Sequence, residues 1–175
     1  MTESDLKNSD VVIDSKGIRI GNEYIAYKDG GVLLRDSIKE LAQRITAKKI
    51  LEVGYGYGYT ARAIQEYFKP KLHIIVEANA GLALFARMNL GQSVQVVEEM
   101  IQKYVTDEEF DLIYDDREER VDIIPINWSK IRHKYWATCC HPPAGIEDMN
   151  SGFLFASEGG QYFQHLHRPD EIYFT

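Results

Sequence analysis

The sequence is poor in cysteine: two residues in 175, and they are neighbours, Cys139 and Cys140. That excludes a disulfide framework and the paired spacing of a zinc site, and it makes a reducing cytoplasm the expected compartment. No apolar run approaches the ~18 residues that cross a bilayer. The first ten residues are polar and acidic, unlike a secretory leader. Excess positive charge is lacking too, since 20 Lys and Arg against 27 Asp and Glu leave −7. A chain of that sign is disfavoured on a nucleic acid or an anionic membrane, so neither is expected as a partner. No repeat, low-complexity stretch or linker-like composition divides it. What remains is an ordinary globular balance, 45% apolar and 27% charged, at a length near one domain. A chain of this size buries roughly two-thirds of its unfolded surface, enough for one core without staples.

Residues 1–9 read as a frayed tail. Val11–Ile13, Gly17–Ile20 and Glu23–Tyr27 are β-prone pieces split by turn residues and read as a small meander. Lys28-Asp29-Gly30-Gly31 is a turn, and residues 32–47 carry Leu33, Leu34, Ile38, Leu41, Ala42 and Ile45 at helical spacing. The expectation is a single domain, 1–175, with residues 1–31 as an N-terminal extension or lid on a core of 32–175. Strands and helices then alternate: a strand at 49–54, a helix at 60–68, a strand at Leu72–Glu77, a helix at 80–90 capped by Gly91. A strand at 94–97, a short helix at 100–105 and a strand at 110–114 follow. This rhythm means βαβ units and a mainly parallel sheet. Pro125 interrupts residues 122–131, so a helix there begins after it. A fifth strand at 134–140 and closing antiparallel strands near 152–157, 161–167 and 171–174 complete the expected fold. It is α/β: a compact Rossmann-like sheet with antiparallel C-terminal strands and a small N-terminal lid.

Chemistry concentrates where strands end. Glu52-Val53-Gly54-Tyr55-Gly56-Tyr57-Gly58 lies between a strand and a helix. Glycines permit a tight turn and let a ligand lie on the backbone. The following helix offers free N–H groups and the positive end of its dipole. The dinucleotide fingerprint G-x-G-x-x-G is not met, because the third glycine comes one place early. Glu77 ends the next strand, with Ala78 beside it, where a carboxylate can accept from both hydroxyls of a ribose. Glu99 and Met100 follow the third strand, where an adenine edge would lie. Tyr114-Asp115-Asp116 end the fourth, at the edge where ligands of parallel sheets bind. An acid there can hold a cationic amine and take its proton. A ligand-free glycine turn and solvated strand-end acids are the plainer alternatives. For Asp116 a cap or surface turn is the readier one.

G-x-G-x-G after an acid resembles the loop of class I S-adenosylmethionine (SAM) methyltransferases. With Val32-Leu33-Leu34-Arg35, Ile50 to Gly56, His73 to Gly81 and Phe110 to Asp115, residues 32–116 are most similar to the guanidinoacetate and arginine N-methyltransferase family. The match covers about half of the chain. It implies SAM as cofactor, held by Gly54, Gly56 and Glu77, with Asp115 as the carboxylate that accepts a guanidino proton. Glu52, Tyr55, Gly58, Ala78, Glu99 and Met100 complete the expected cofactor contacts. Tyr114 and Asp116 flank the catalytic acid, and Tyr27, Arg35 and Asp36 are the substrate candidates. Two departures stand out. The family follows its Arg with a Trp-Glu pair, whereas Asp36 and Ser37 follow Arg35 here, so the second carboxylate is absent or shifted to Asp36. The family's turn before strand five is also missing.

The expected activity is methyl transfer from SAM to nitrogen of a small, polar, cationic substrate, in a cytoplasmic enzyme. A chain this short is a candidate homodimer. Rival readings are an aminopropyl-type transferase, an O-, C- or peptide methyltransferase of a biosynthetic pathway, and a non-catalytic module on the same fold. Tyr57 or Tyr59 is a candidate cation–π cover for the sulfonium, and His133 or His141 a candidate base. His165 and His167, with His141 as a third ligand only through space, make no clear metal set, and no metal is expected.

Overall fold

The computed structural model describes residues 10–117 and 130–138 and, as backbone, 154–158 and 161–166. Strands β1 (Val11–Ile13), β2 (Gly17–Ile20) and β3 (Glu23–Tyr27) form an antiparallel sheet of their own. A 3-10 turn at Lys28–Gly30 leads into helix α1 (Gly31–Arg44). The core then runs β4 (Lys49–Val53), α2 (Tyr59–Tyr67), β5 (Leu72–Glu77), α3 (Ala80–Asn89), β6 (Val94–Glu98), β7 (Phe110–Asp115) and β8 (His133–Thr138). It ends with β9 (Leu154–Glu158) and β10 (Gln161–Leu166).

The main sheet has the order β10-β9-β8-β7-β4-β5-β6. Its five strands from β6 to β8 are parallel, and β9 and β10 add antiparallel pairs at one edge. The chain winds outward from β4 through β5 to β6, then returns to the other side of β4 as β7 and β8. The direction of winding therefore reverses between β4 and β7, and the crevice outside the C-terminal ends of those two strands is where open α/β sheets bind ligands.

The packing follows the alternation of side chains along each strand. Ile50 of β4 and Leu112 and Tyr114 of β7 face Ile38 and Leu41 of α1 and Ala63 and Ile64 of α2. Leu51 and Val53 turn the other way, to Ile74, Val76, Ile101, Phe110 and Ile113. Both faces being covered, β4, β5 and β7 are buried almost throughout. The strands start level because one carboxylate pins two of them: Asp111 Oδ2 on β7 accepts the amides of Lys48 and Lys49 at 2.6 and 2.9 Å.

Several expected boundaries move. Helix α1 stops at Arg44 rather than 47, since Ile45 is extended (φ −128°, ψ 155°) and turns its side chain into the core. The β-branched pair Ile45-Thr46 favours that exit. Helix α3 ends at Asn89 on an extended Leu90; Gly91 does not adopt the left-handed cap expected of it. The short helix at 100–105 is a single turn, in which the amides of Lys103 and Tyr104 reach Met100 O at 2.9 and 3.1 Å. A lone turn gains too few hydrogen bonds to propagate, and Met100 and Ile101 are both drawn into the interior. Strands β6 and β7 each run one residue further than expected, to Glu98 and Asp115. The expected helix within 122–131 and the strand at 171–174 lie wholly or mainly outside the described residues, as do Cys139 and Cys140.

Ile64→Ala should cost ~2–5 kcal/mol, a buried side chain lost between α1, α2 and the sheet. Val32→Ala, at a position 70% exposed, should stay within about 0.5 kcal/mol. Urea unfolding of both variants checks the contrast.

Candidate functional site

Residues 54–58 leave β4 in a backbone that side chains resist: Gly54, Gly56 and Gly58 have φ of +87°, +50° and +68°. All three are also closely approached, Gly54 by the Asp116 carbonyl oxygen, which a Cβ there would meet at 3.2 Å. A Cβ on Gly56 would meet the Ala26 methyl of β3 at 3.3 Å, and one on Gly58 would enter the Tyr55 ring. The N-terminal sheet thus rests against the glycine loop, and Gly58 opens α2 as a left-handed N-cap.

The loop is tied to the neighbouring strand. Gly54 N–H donates to Val76 O at 3.0 Å. The Tyr55 amide donates to Glu77 Oε2 at 2.9 Å and the Asn79 amide to Oε1 at 2.8 Å. Glu77 is 5% exposed. Burial raises its pKa above the ordinary value, while the amides of Asn79, Tyr55 and Ala78 pull it back and the charge of Glu52 adds to the rise. A carboxylate offers about four lone-pair sites. Three amides on the two oxygens still leave acceptor capacity beside the loop.

Beneath the loop lies a buried polar chain. Thr60 Oγ1 donates to Glu52 Oε1 in a short contact, and His73 Nε2 sits 2.9 Å from Glu52 Oε2. Gln65 Nε2 is 2.9 Å from His73 Nδ1. With the amide of Gln65 donating there, the ring hydrogen stands on Nε2 and faces the carboxylate. Thr60 Oγ1 also lies 3.1 Å from Asp116 Oδ2, which brings Asp116 over the same loop. Across the crevice, Asp115 is in register with Val53 of β4 and Thr138 of β8. Both its carboxylate oxygens are held by Arg117, at 2.7 Å from Nε and 2.7 Å from Nη2.

The loop therefore brings together Glu52, Gly54, Gly56, Gly58, Glu77, Ala78, Asp115 and Asp116. Glu99 joins through its amide, which donates to Glu77 O at 3.1 Å, and Met100 is buried next to it. Tyr55 reaches the site only by its backbone: its ring is buried, edge-on to Phe85 at 6.0 Å. Tyr114 is buried as well, on the side of α1 and α2. The expected substrate residues stand elsewhere. Arg35 pairs with Glu66 at 2.7 Å and lies over the Tyr67 ring, both in the last turn of α2. Glu66 is seven residues beyond the start of that helix, about 10 Å along it. Asp36 is exposed on α1, and Tyr27 is half exposed, stacked on Tyr24 at 5.6 Å. Tyr57 and Tyr59 pack on each other at 5.5 Å, with the Tyr59 hydroxyl donating to Lys28 O. His133 begins β8, at the opposite end of the sheet from Asp115. His141 and His167 lie outside the described residues, and only the backbone of His165 is described.

Thr60, Gln65, His73 and Arg117 are members of the site that carry no expectation from sequence. For the last two, the available signals were a histidine within an apolar strand, and a basic residue two places after a strand-end acid. Among the described residues no group of three or more His, Cys, Asp or Glu is arranged for a metal ion.

No protein-family model matches the sequence and no curated protein is similar to it. Solved structures do match. A chain in the complex between the Haloferax volcanii Trm112 methyltransferase activator and a methyltransferase is 13% identical, over 63% of this chain and 54% of its own, with a TM-score of 0.51. The likeness at this identity is one of fold. The chain has the Rossmann-like fold of the class I methyltransferases. YcgJ of Bacillus subtilis matches at 18% identity over 61% of this chain and 50% of its own, TM-score 0.49. A SAM-dependent methyltransferase of Mesorhizobium loti matches at 12%, over 59% and 51%, TM-score 0.47. The chain spans about half the length of each of these three solved structures.

Thr60→Val should remove the hydroxyl that satisfies Glu52 and destabilise the fold by ~1–3 kcal/mol, the cost of an unmet buried acceptor. Chemical denaturation of the variant against Thr60→Ser, which keeps the donor, measures it.

Proposed function

We propose that this chain is a SAM-dependent methyltransferase acting on nitrogen of a small, polar, cationic acceptor of amine or guanidino character. The observation that carries the reading is Glu77: a buried carboxylate at the end of β5, bound to the glycine loop by one amide and still able to accept. That donor set fits an adenosyl group. Glu77 would accept from the ribose hydroxyls, the backbone of Gly54 and Gly56 would face the amino-acid portion, and Glu99 and Met100 would border the base. SAM, when bound, supplies a methyl group already activated on a sulfonium, so the chain has mainly to orient the acceptor and accept one proton. Asp115 is the proposed carboxylate for the acceptor's cation, with Asp116 beside it above the loop. Residues 1–31 act as a lid in this reading, supported by the contact of Ala26 with Gly56. The acceptor is a small molecule, the site is cytoplasmic on the strength of the cysteine usage, and the enzyme works as a monomer or homodimer. No helix among the described residues is long and apolar enough to cross a membrane.

Calorimetry and thermal shift with SAM, S-adenosylhomocysteine, decarboxylated SAM and NAD test the cofactor. SAM and its demethylated product should raise the melting temperature, as a ligand selective for the native state does; NAD should not. Preference for decarboxylated SAM would move the reading to aminopropyl transfer, and no response to any of them would end it. Glu77→Ala should weaken SAM binding by roughly tenfold or more.

The raised pKa of Glu77 gives a second test with two signs. Its folded pKa lies above 4.5, so the neutral form contributes stability that is complete below that value and is lost as pH rises through the folded value. The diol needs the ionised form. Acidification into that window should therefore weaken SAM binding while easing the burial cost of Glu77 in the free protein. Both responses should shrink in Glu77→Gln when calorimetric and unfolding titrations are run in parallel.

A further inference from the structure

Asp115 ends β7 with its side chain 1% exposed, and it is held rigidly. Its own carbonyl accepts the Thr138 hydroxyl at 2.7 Å, and the amide of the next residue donates to Val53 O at 2.9 Å. Arg117 stands two residues on, past the end of the strand, and 19% of its side chain is exposed. Its guanidinium meets the carboxylate as a fork, one N–H donor on each oxygen. Of the two partners, the carboxylate is built into the sheet, and the cation reaches it on a long stem from the loop. A planar two-donor cation fills both oxygens at once, whereas an ammonium acts as a compact point charge without the fork.

We propose that Arg117 occupies the acceptor slot from within the chain and keeps Asp115 covered until an acceptor cation displaces it. The proposal rests on the reading of Asp115 as the acceptor's carboxylate. An incoming cation reaches Asp115 only by displacing the Arg117 guanidinium. A planar cation with two donors replaces the displaced pair bond for bond, so the exchange is nearly even. A simple ammonium leaves the two-point geometry unfilled and does not offset the loss of the fork, so the two oxygens of Asp115 set the preference and Arg117 sets the threshold that any acceptor must exceed.

Arg117→Ala tests this with methylguanidinium chloride as probe and methylammonium chloride at equal ionic strength as control. Removing the fork leaves a buried carboxylate without its cation, with only the amide of residue 117 at 3.4 Å, so the variant should melt at a lower temperature, and methylguanidinium should restore it saturably. Its affinity for the probe should exceed that of the wild type by roughly tenfold or more, and methylammonium should have little effect. Asp115→Asn combined with Arg117→Ala should abolish the response. Arg117→Lys, which keeps a charge beside Asp115, should fall between and serves if the alanine variant does not fold. Prior addition of S-adenosylhomocysteine should change the affinity of Arg117→Ala for the probe, because the slot and the glycine loop adjoin across β4 and β7; an ion pair of purely structural value would be indifferent. Equal affinity of wild type and variants, or indifference to S-adenosylhomocysteine, overturns the proposal. SAM binding measured on the wild type and the same variants is read separately: its absence in the wild type sinks the cofactor reading, and its presence alongside a silent probe sinks only the role of Arg117.

Discussion

A turn built on alternating left-handed glycines has no ladder of its own to hold it, and that constraint governs this end of the molecule. The strand bonds of β4 stop at Val53, and beyond it the loop needs acceptors from outside. They come from β5: the carbonyl of Val76 takes Gly54, and the carboxylate of Glu77 takes Tyr55. The other oxygen of Glu77 takes Asn79, whose side chain in turn caps α3 by accepting from the Leu82 amide. One buried acid thus joins the glycine loop to the start of the next helix. Its ionised form costs desolvation, and the amides that offset that cost are those that shape the loop. Shape of the turn and charge of the site are coupled.

The same logic is repeated a layer below. Glu52 is enclosed, and an enclosed carboxylate needs hydrogen bonds on both oxygens. Thr60, at the start of α2, supplies one, and His73, on the neighbouring strand, supplies the other. These contacts link β4, β5 and the helix after the loop, so the loop's two ends are held apart at a set distance. Polar contacts inside a core are individually modest when complete and costly when broken. Their value here is positional: they tie the first turn of α2, where the free amides of the helix lie, to the end of β4.

Asp115 presents the third buried acid, on the far side of the reversal point, and its charge is met chiefly by the Arg117 guanidinium, with the Arg117 amide a longer third contact at 3.4 Å. Removing one partner of such a pair strands a charge in a poorly hydrated place, whereas exchanging one guanidinium for another like cation leaves the balance intact. A carboxylate fixed by the sheet and a cation carried on a loop are an asymmetric pair.

Much of this was readable in one dimension because burial leaves a local trace. Apolar runs at Ile50, Ile74 and Leu112, spaced by helical patterns, mark parallel strands wherever the chain is cut, and the glycine loop and Glu77 follow from their place at strand ends. The helix expected at 100–105 failed because side-chain pattern reports burial before it reports backbone, and Met100 and Ile101 are buried from a single turn. Other features depend on which strand lies beside which, and on register, and neither is a property of any short stretch. The return of β7 to the flank of β4 sets Asp115 and Asp116 over the loop. The alignment of β4 with β5 puts His73 against Glu52. Packing of α1 on α2 carries Arg35 to Glu66, away from the crevice, and the fold of the N-terminal strands sets Ala26 on Gly56. Sequence alone determined the elements and the kinds of groups at their ends, since periodicity and turn chemistry act over a few residues. Tertiary structure decided which of those groups meet, since a hydrogen bond or ion pair exists only once distant segments are brought within about 3 Å of each other.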